Sequence, residues 1–359
     1  MTNDSGRVRA VNRYLIQPRS AHMQSPHSVV FGTNLLLPSP GMEEMADNIL
    51  AILHKKSEEN GHPNTFELCK MKLTKFPSGE HEPEILEPVR GATVFSLHPM
   101  QLPDPNTGLV NLILMNDALV SADVYKIKLV LPFIPFQRND RRKDNKRVSI
   151  SARAVAKVVQ AYSEVRQVIT LDLHADQEVG LYNIPVDNIG ATTVFLKDIR
   201  RRHHNDLSNI IAVSPDVGSA NRSRRIARKL DVPLAIIDKD REGPGNSKVL
   251  GITGTSVRGK DAKLFDDIID TGGTIINAAR KLVEEGAKSV EVFGIHGLFS
   301  ADATEKFAKA GFQVRVTDSI PQSAEFRAKH ASWLTYVSVD ELLANAIYAA
   351  SVMRGSIPK

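Results

Sequence analysis

From Ser28 onward, short apolar runs rich in Val, Ile and Leu alternate with longer runs of helical period. That alternation predicts an α/β fold in which mostly parallel sheet is covered by helices. Apolar runs at 128–134, 168–173, 210–213 and 233–237 each end in polar residues of reactive type. They lead into Pro135, Phe136, Gln137 and Arg138, into His174, Ala175 and Asp176, into Ser214, Pro215 and Asp216, and into Asp238, Lys239, Asp240 and Arg241. A fifth run closes at Leu264 and Phe265, just before a group of carboxylates. Ligands of open α/β sheets bind outside the carboxyl ends of strands, so these ends predict one cleft. Between them, 149–162 places Ile150, Ala154, Val155, Val158 and Val159 on one helical face. The stretch 221–230 sets Ile226, Ala227 and Leu230 opposite an Arg/Lys face, read as solvated. The segment 185–190 is expected to cross between two domains, and the last periodic run, 339–353, to dock back on the first.

The carboxylate group after Phe265 carries the most chemistry. Asp266, Asp267, Ile268, Ile269, Asp270, Thr271, Gly272, Gly273 and Thr274 precede a run of helical period. The glycines let the backbone come close to a ligand, and N–H groups at a helix start converge on an anion, so the loop is expected to bind phosphate. Carboxylates beside a bare polyphosphate would repel it, so here they are expected to face sugar hydroxyls or a metal ion. Together these features describe a phosphorylated sugar. The plain alternative is a turn with helix-capping residues, since Asp and Thr favour that position anyway.

Bulk composition narrows the setting. With 359 residues, 42% hydrophobic and 24% charged, the chain has room for two domains with cores of their own. One cysteine, Cys69, excludes an internal disulfide and fits a reducing cytosol. No apolar run approaches the roughly 20 residues that cross a bilayer. The first 28 residues carry Arg7, Arg9, Arg13 and Arg19 against Asp4 and are expected to form a disordered basic extension, an organelle transit peptide being the lesser alternative. A formal charge of +5 suits anionic small substrates as well as nucleic acid.

Other strand ends add candidates, each with a plainer counterpart. His174 and Asp216 supply an imidazole and a carboxylate, which with substrate phosphates would complete a magnesium site; a strand-end histidine and a turn aspartate are the alternative. Lys239 and Arg241 share a face of an extended segment and lead into Glu242, Gly243, Pro244, Gly245, Asn246 and Ser247. A mobile loop there would close over a polyphosphate and bring positive charge to a phosphoryl transfer, although cations before a turn are also common on surfaces. The basic run 138–147 lacks interleaved aromatics, so a polyphosphate-facing loop is expected rather than a nucleic-acid surface. His296 receives no role.

In this order and spacing the motifs resemble those of the ribose-phosphate diphosphokinase (phosphoribosyl pyrophosphate synthetase) family over about 29–350. The matching segments are FPSGE at 76–80, PFQRND at 135–140, TLDLHADQ at 170–177, IPVDN at 184–188, VSPDVG at 213–218, AIIDKDR at 235–241 and the loop 266–274. The resemblance implies two phosphoribosyltransferase-like (type I) domains, each a mostly parallel sheet flanked by helices. They would span 29–188 and 189–338 behind the 1–28 extension, with the final helix joining the first domain. It also implies a cytoplasmic enzyme that transfers the β,γ-diphosphoryl group of ATP to the anomeric hydroxyl of ribose 5-phosphate, giving phosphoribosyl pyrophosphate and AMP. By the same resemblance Asp270, Thr271, Gly272, Gly273 and Thr274 would hold the 5-phosphate, and Asp266 and Asp267 the ribose hydroxyls, directly or through metal. His174 and Asp216 would bind Mg2+, and Lys239 and Arg241 would stabilise the transferring group. Arg138, Asn139 and Asp140 would lie at ATP, while Phe76, Ser78 and Glu80 would complete the adenine site from a neighbouring subunit of a homo-oligomer, commonly a hexamer. No nucleic acid or membrane partner is implied.

Two positions depart from the family pattern: Ser78 replaces the usual Asp or Asn, and Asn139 the usual Gln. Each loses reach or a hydrogen-bonding atom at the nucleotide. They leave open a non-catalytic regulatory homologue. A phosphoribosyltransferase is the remoter alternative, since it needs neither the TLDLHADQ nor the DKDR segment.

Overall fold

The computed structural model describes residues 33–61, 66–142, 146–243 and 246–352, with those at 239–250 described by backbone alone. The 1–28 extension lies outside the described residues. In the first half the elements are β1 (Asn34–Pro38), α1 (Glu43–Glu59), β2 (Phe66–Leu68), β3 (Met71–Lys75), β4 (His81–Ile85), β5 (Thr93–Leu97), α2 (Pro105–Ser121), β6 (Lys126–Leu131), α3 (Ser151–Val159), β7 (Val165–Leu171) and β8 (Val186–Ile189). Strands β2-β1-β5-β6-β7-β8 form a parallel six-stranded sheet, and β3 and β4 form a separate antiparallel hairpin.

The chain then continues through α4 (Thr192–Arg202), β9 (Ile210–Ser214), α5 (Ala220–Leu230), β10 (Leu234–Gly243), β11 (Asn246–Gly254), β12 (Asp261–Ile269), α6 (Gly273–Glu284), β13 (Ser289–Gly297), α7 (Ala303–Ala310), β14 (Gln313–Thr317), α8 (Ala324–His330), β15 (Leu334–Val337) and α9 (Asp340–Ser351). The second sheet has seven strands in the order β11-β10-β9-β12-β13-β14-β15, parallel except for the β10–β11 pair. The α/β class with mostly parallel sheet is thus as the alternation predicted, and the two sheets are as the resemblance implied.

Three local expectations change. The segment 185–190 does not simply cross between halves: Val186 to Ile189 pair with β7 as an edge strand. Asp266 and Asp267 lie inside β12, not beyond it, because Ile268 and Ile269 resume the apolar run and the pairing with β13 continues to Ile269 and Gly297. The expected loop after Arg241 is largely strand, since β10 runs to Gly243 and β11 begins at Asn246. Glycines and short polar residues hid that hairpin, which is set by backbone pairing and not by an apolar run.

One apolar cluster joins the two sheets. It contains Leu36 and Phe95 from the first, Phe265 and Phe293 from the second, Phe195 of α4, and residues of α1 and α9. Phe293 stacks on Phe265 with centroids 4.9 Å apart and meets Phe195 edge-on at 5.3 Å. Helix α9 returns to α1, against which it packs Leu343, Ala344, Ala346 and Ile347.

The return is fastened by two carboxyl groups. Asp318 accepts a hydrogen bond from the Val339 N–H at 2.9 Å, and Asp340 accepts one from Asn48 Nδ2 of α1 at 2.9 Å. Burial and then the neighbouring Asp340 charge push the Asp318 carboxyl up to about 7. A folded-state value above the unfolded one means stability is full below about pH 4 and declines as pH rises toward 7. Denaturant titrations from pH 4 to pH 8 are therefore expected to show a smaller decline for Asp318→Asn than for the wild type. Identical slopes would contradict the assignment.

Candidate functional site

In the second sheet the strand order reverses between β9 and β12, the place where open α/β sheets offer a crevice. The β9–β12 ladder stops at Val213 and Leu264, whereas β12 continues beside β13 for five more residues to Ile269. Asp266 and Asp267 therefore stand where one neighbour has ended and a gap opens toward the Asp216 turn. Beyond them, Gly272 caps α6 with φ +76°, and a Cβ there would come within 2.8 Å of Phe307. Glycine is the residue this position accepts, and it lets the chain turn from Asp270 into the α6 N-terminus.

Loops of the first sheet close the other side. Arg138 Nη1 donates to Asp270 Oδ2 at 2.6 Å. His174 Nδ1 lies 2.6 Å from Asp267 Oδ2, and Gln137 Oε1 accepts the His174 N–H at 2.6 Å. Beneath them Phe133, Ile268 and Ile320 form a small apolar floor between the two sheets. The structure thus gathers Arg138, His174, Asp216, Asp266, Asp267, Asp270 and the Gly272–Gly273 turn into one cleft.

Electrostatics separate the two adjacent carboxyls. Burial opposes the charge of Asp267, yet the hydrogen bond from His174 and the Arg222 guanidinium, 3.5 Å away, outweigh it and hold the carboxyl well below the usual range. Asp267 is 7% exposed, and its Oδ1 also accepts the Ile268 N–H at 2.9 Å. Its oxygens are engaged by protein. Asp266 is the reverse case: burial first, then the charges of Asp267 and Asp216, drive its carboxyl well above the usual range. The surroundings thus favour charge on Asp267 and disfavour it on Asp266. An ionised Asp267 is acceptor only, so His174 Nδ1 carries the proton, and the Asp267 bond raises the imidazole.

That pairing bears on metal binding. A ligating histidine characteristically gives its other ring N–H to a carboxylate, which fixes the tautomer and leaves Nε2 as the donor atom. His174 has this arrangement. Among the described residues no group of three or more His, Cys, Asp or Glu side chains is gathered to hold a metal on its own. A site of His174 and Asp216 would need substrate oxygens to complete it, which suits magnesium. Asp216 Oδ1 accepts the Ser219 N–H at 2.8 Å, fixing the turn that leads into α5.

The remaining candidates are placed as follows. Asn139 donates to the Ser149 carbonyl at 2.9 Å and to Ser151 Oγ at 3.1 Å, so its amide braces the loop before α3. Phe76, Ser78 and Glu80 form the exposed tip of the β3–β4 hairpin, with Ser78 Oγ donating to Glu80 Oε2 at 2.8 Å. No bond joins this tip to the cleft residues among the described contacts. Lys239 and Arg241 lie outside the described residues as far as their side chains go; β10 carries their backbone. His296 is buried, with Nδ1 2.9 Å from Ser319 Oγ, and burial lowers it to about 4.

Four residues of the cleft were not singled out from sequence. Gln137 links two loops, and Arg222 is only 13% exposed between Asp267 and Asp172. Asp172 accepts the Ala191 N–H at 2.5 Å, and burial pushes Glu178 up to about 7 beside His174. A signal for Arg222 exists: it stands one helical turn before Ile226, on the buried stripe of α5 and not on the solvated face.

Residues 36–162 match the family model described as the N-terminal domain of ribose phosphate pyrophosphokinase, and 186–327 match the phosphoribosyl transferase domain. A ribose-phosphate pyrophosphokinase of Burkholderia pseudomallei is 41% identical over 259 residues, covering 72% of this chain and 80% of the relative. One from Neisseria meningitidis serogroup B is 39% identical over 281 residues, 78% of this chain and 84% of the relative. Among solved structures, the phosphoribosylpyrophosphate synthetase of Mycobacterium smegmatis has a TM-score of 0.73 at 33% identity, covering 89% of this chain and 98% of that one.

Proposed function

We propose that this chain, which belongs to the ribose-phosphate pyrophosphokinase family, transfers the β,γ-diphosphoryl group of ATP to the anomeric hydroxyl of ribose 5-phosphate. The observation that carries the reading is the pair of contacts linking the two sheets, Arg138 to Asp270 and His174 to Asp267, each 2.6 Å. They unite the expected nucleotide side with the expected sugar-phosphate side.

In this mechanism the α6 N-terminus and Thr271, Gly272, Gly273 and Thr274 bind the 5-phosphate, and Asp266 takes the ribose hydroxyls. Asp270 and Arg138 are 28% and 49% exposed, so their ion pair is worth at most about 1 kcal/mol and yields readily to substrate. His174 Nε2 and Asp216 would hold Mg2+, which when bound supplies neutralisation of phosphate charge. The anomeric oxygen attacks the β-phosphorus in line and AMP leaves. Lys239 and Arg241 offset the charge that develops on the transferring group. Arg138, Asn139 and Asp140 stand on the nucleotide side, with Phe76, Ser78 and Glu80 reaching a neighbour's adenine in a homo-oligomer. We take 29–188 and 189–338 as the two domains and the cytoplasm as the compartment. No described helix is long and apolar enough to cross a membrane.

Incubating the purified chain with ATP, ribose 5-phosphate and magnesium tests this. AMP and phosphoribosyl pyrophosphate are expected in equal amounts. Absence of AMP at every phosphate concentration tried would overturn the assignment and favour a regulatory homologue.

A further inference from the structure

The three loops that wall the cleft are joined in a closed ring. Arg138 ties the 132–140 loop to Asp270, Asp267 ties the end of β12 to the His174 ring, and Gln137 ties the His174 backbone to the 132–140 loop again. The first of these links is made by charged groups that substrate would compete for, and the second holds the ring whose other nitrogen would meet metal. The third is different.

Gln137 is 3% exposed, between the exposed Arg138 and the half-buried Phe136. Its amide does two jobs at once: Nε2 donates to the Ile134 carbonyl at 2.5 Å, and Oε1 accepts the His174 N–H at 2.6 Å. The first bond locks the side chain against its own loop, and the second fixes the backbone of the residue whose ring meets Asp267. Phe136, immediately before it, adopts φ +67°, a left-handed conformation that a bulky residue holds only where the surroundings impose it. The turn at Phe136 directs Gln137 inward and Arg138 outward, so the loop that holds the charged contact also positions the histidine. Apolar replacement would leave the His174 N–H and the buried Ile134 carbonyl without these partners.

We propose that Gln137 is a positioning residue: it acts through the His174 backbone to hold the imidazole in register with Asp267 while substrates displace the Arg138–Asp270 contact. The inference rests on the cleft being the two-substrate site proposed above. Its consequence is a division of labour within one loop, in which Arg138 yields to ligand and Gln137 does not.

Gln137→Leu and Gln137→Glu test it, Glu being a variant that keeps an oxygen for the His174 N–H but gives up the amide donation to the Ile134 carbonyl. Hydrogen exchange on the free enzyme is expected to show the His174 amide about tenfold less protected in Gln137→Leu, and closer to wild type in Gln137→Glu. Steady-state kinetics are expected to show kcat for Gln137→Leu down about tenfold, with KM for both substrates within about twofold, and recovery in Gln137→Glu. Unchanged exchange, unchanged kcat, or equal losses in kcat and 1/KM would overturn the proposal. If Gln137→Leu does not fold, Gln137→Ala takes its place with the same expected losses, and wild-type protection and turnover in that variant would overturn the role. A wild type without synthetase activity would overturn the functional reading and leave the exchange result to judge the contact itself.

Discussion

Alanine at Lys239 is expected to lower kcat by on the order of a thousandfold while KM for ATP and for ribose 5-phosphate changes little. Diphosphoryl transfer gives the protein little covalent chemistry to perform; its task is to align two anionic substrates and to neutralise charge that grows as the bond to the leaving AMP breaks. Acids line this cleft, Asp266 and Asp267 within β12, Asp270 just beyond it and Asp216 just beyond β9. Arg138 and Arg222 already meet Asp270 and Asp267, and β10 carries Lys239 and Arg241 two positions apart beside β9, which leads into Asp216. A cation that meets the transferring group mainly in the transition state affects turnover and spares ground-state binding. Initial-rate kinetics at varied ATP and ribose 5-phosphate separate the cases. A rise in KM matching the fall in kcat/KM, with kcat intact, would make Lys239 a substrate clamp instead. Arg241→Ala is expected to behave similarly, and the double variant to lose less than the product of the two if both cations serve one transition state as proposed.

A substitution of one atom type at Asp267 is expected to cost turnover about a hundredfold or more. Asn is close to Asp in shape, but its amide can donate where the carboxylate only accepts. Facing the Asp267 carboxylate, His174 Nδ1 must carry the proton and Nε2 must accept. Facing the side-chain amide of the Asp267→Asn variant, the ring is free to take the opposite tautomer, which removes the Nε2 lone pair. The same change withdraws the charge that Arg222 meets at 3.5 Å, leaving a cation only 13% exposed with less to offset it. Thermal melting of the variant separates loss of fold from loss of function. A folded Asp267→Asn enzyme within threefold of wild-type kcat would show that the His174–Asp267 bond does not serve turnover.

Much of this arrangement could be read from sequence because parallel strands announce themselves as unbroken apolar runs. Those ending near Leu131, Leu171 and Ser214 mark their loops directly. The carboxylates of β12 were harder: Asp266 and Asp267 interrupt the apolar run, so they look like its end, and only the parallel pairing with β13 carries the strand past them. Gln137 and Arg222 were missed for a different reason. A glutamine in a polar loop and an arginine on a basic helix look like solvated residues, and their burial is decided by which loops meet in space. Which of two neighbouring carboxyls keeps its charge is likewise settled by long-range partners, here His174 and Arg222 at Asp267. The hairpin formed by β10 and β11 was hidden by its Gly, Pro and charged residues, which resemble an open loop.

The return of α9 to α1 sets an order of events for a nascent chain. Ile49 and Leu53 of α1 emerge early, but Leu343, Ala344 and Ile347, which share their cluster, come nearly three hundred residues later. Until then the apolar face of α1 has no α9 to cover it. The first half of the protein is therefore completed last, and a ribosome that stops short of residue 340 releases a product whose second sheet is whole while its first still exposes the surface α9 was to bury.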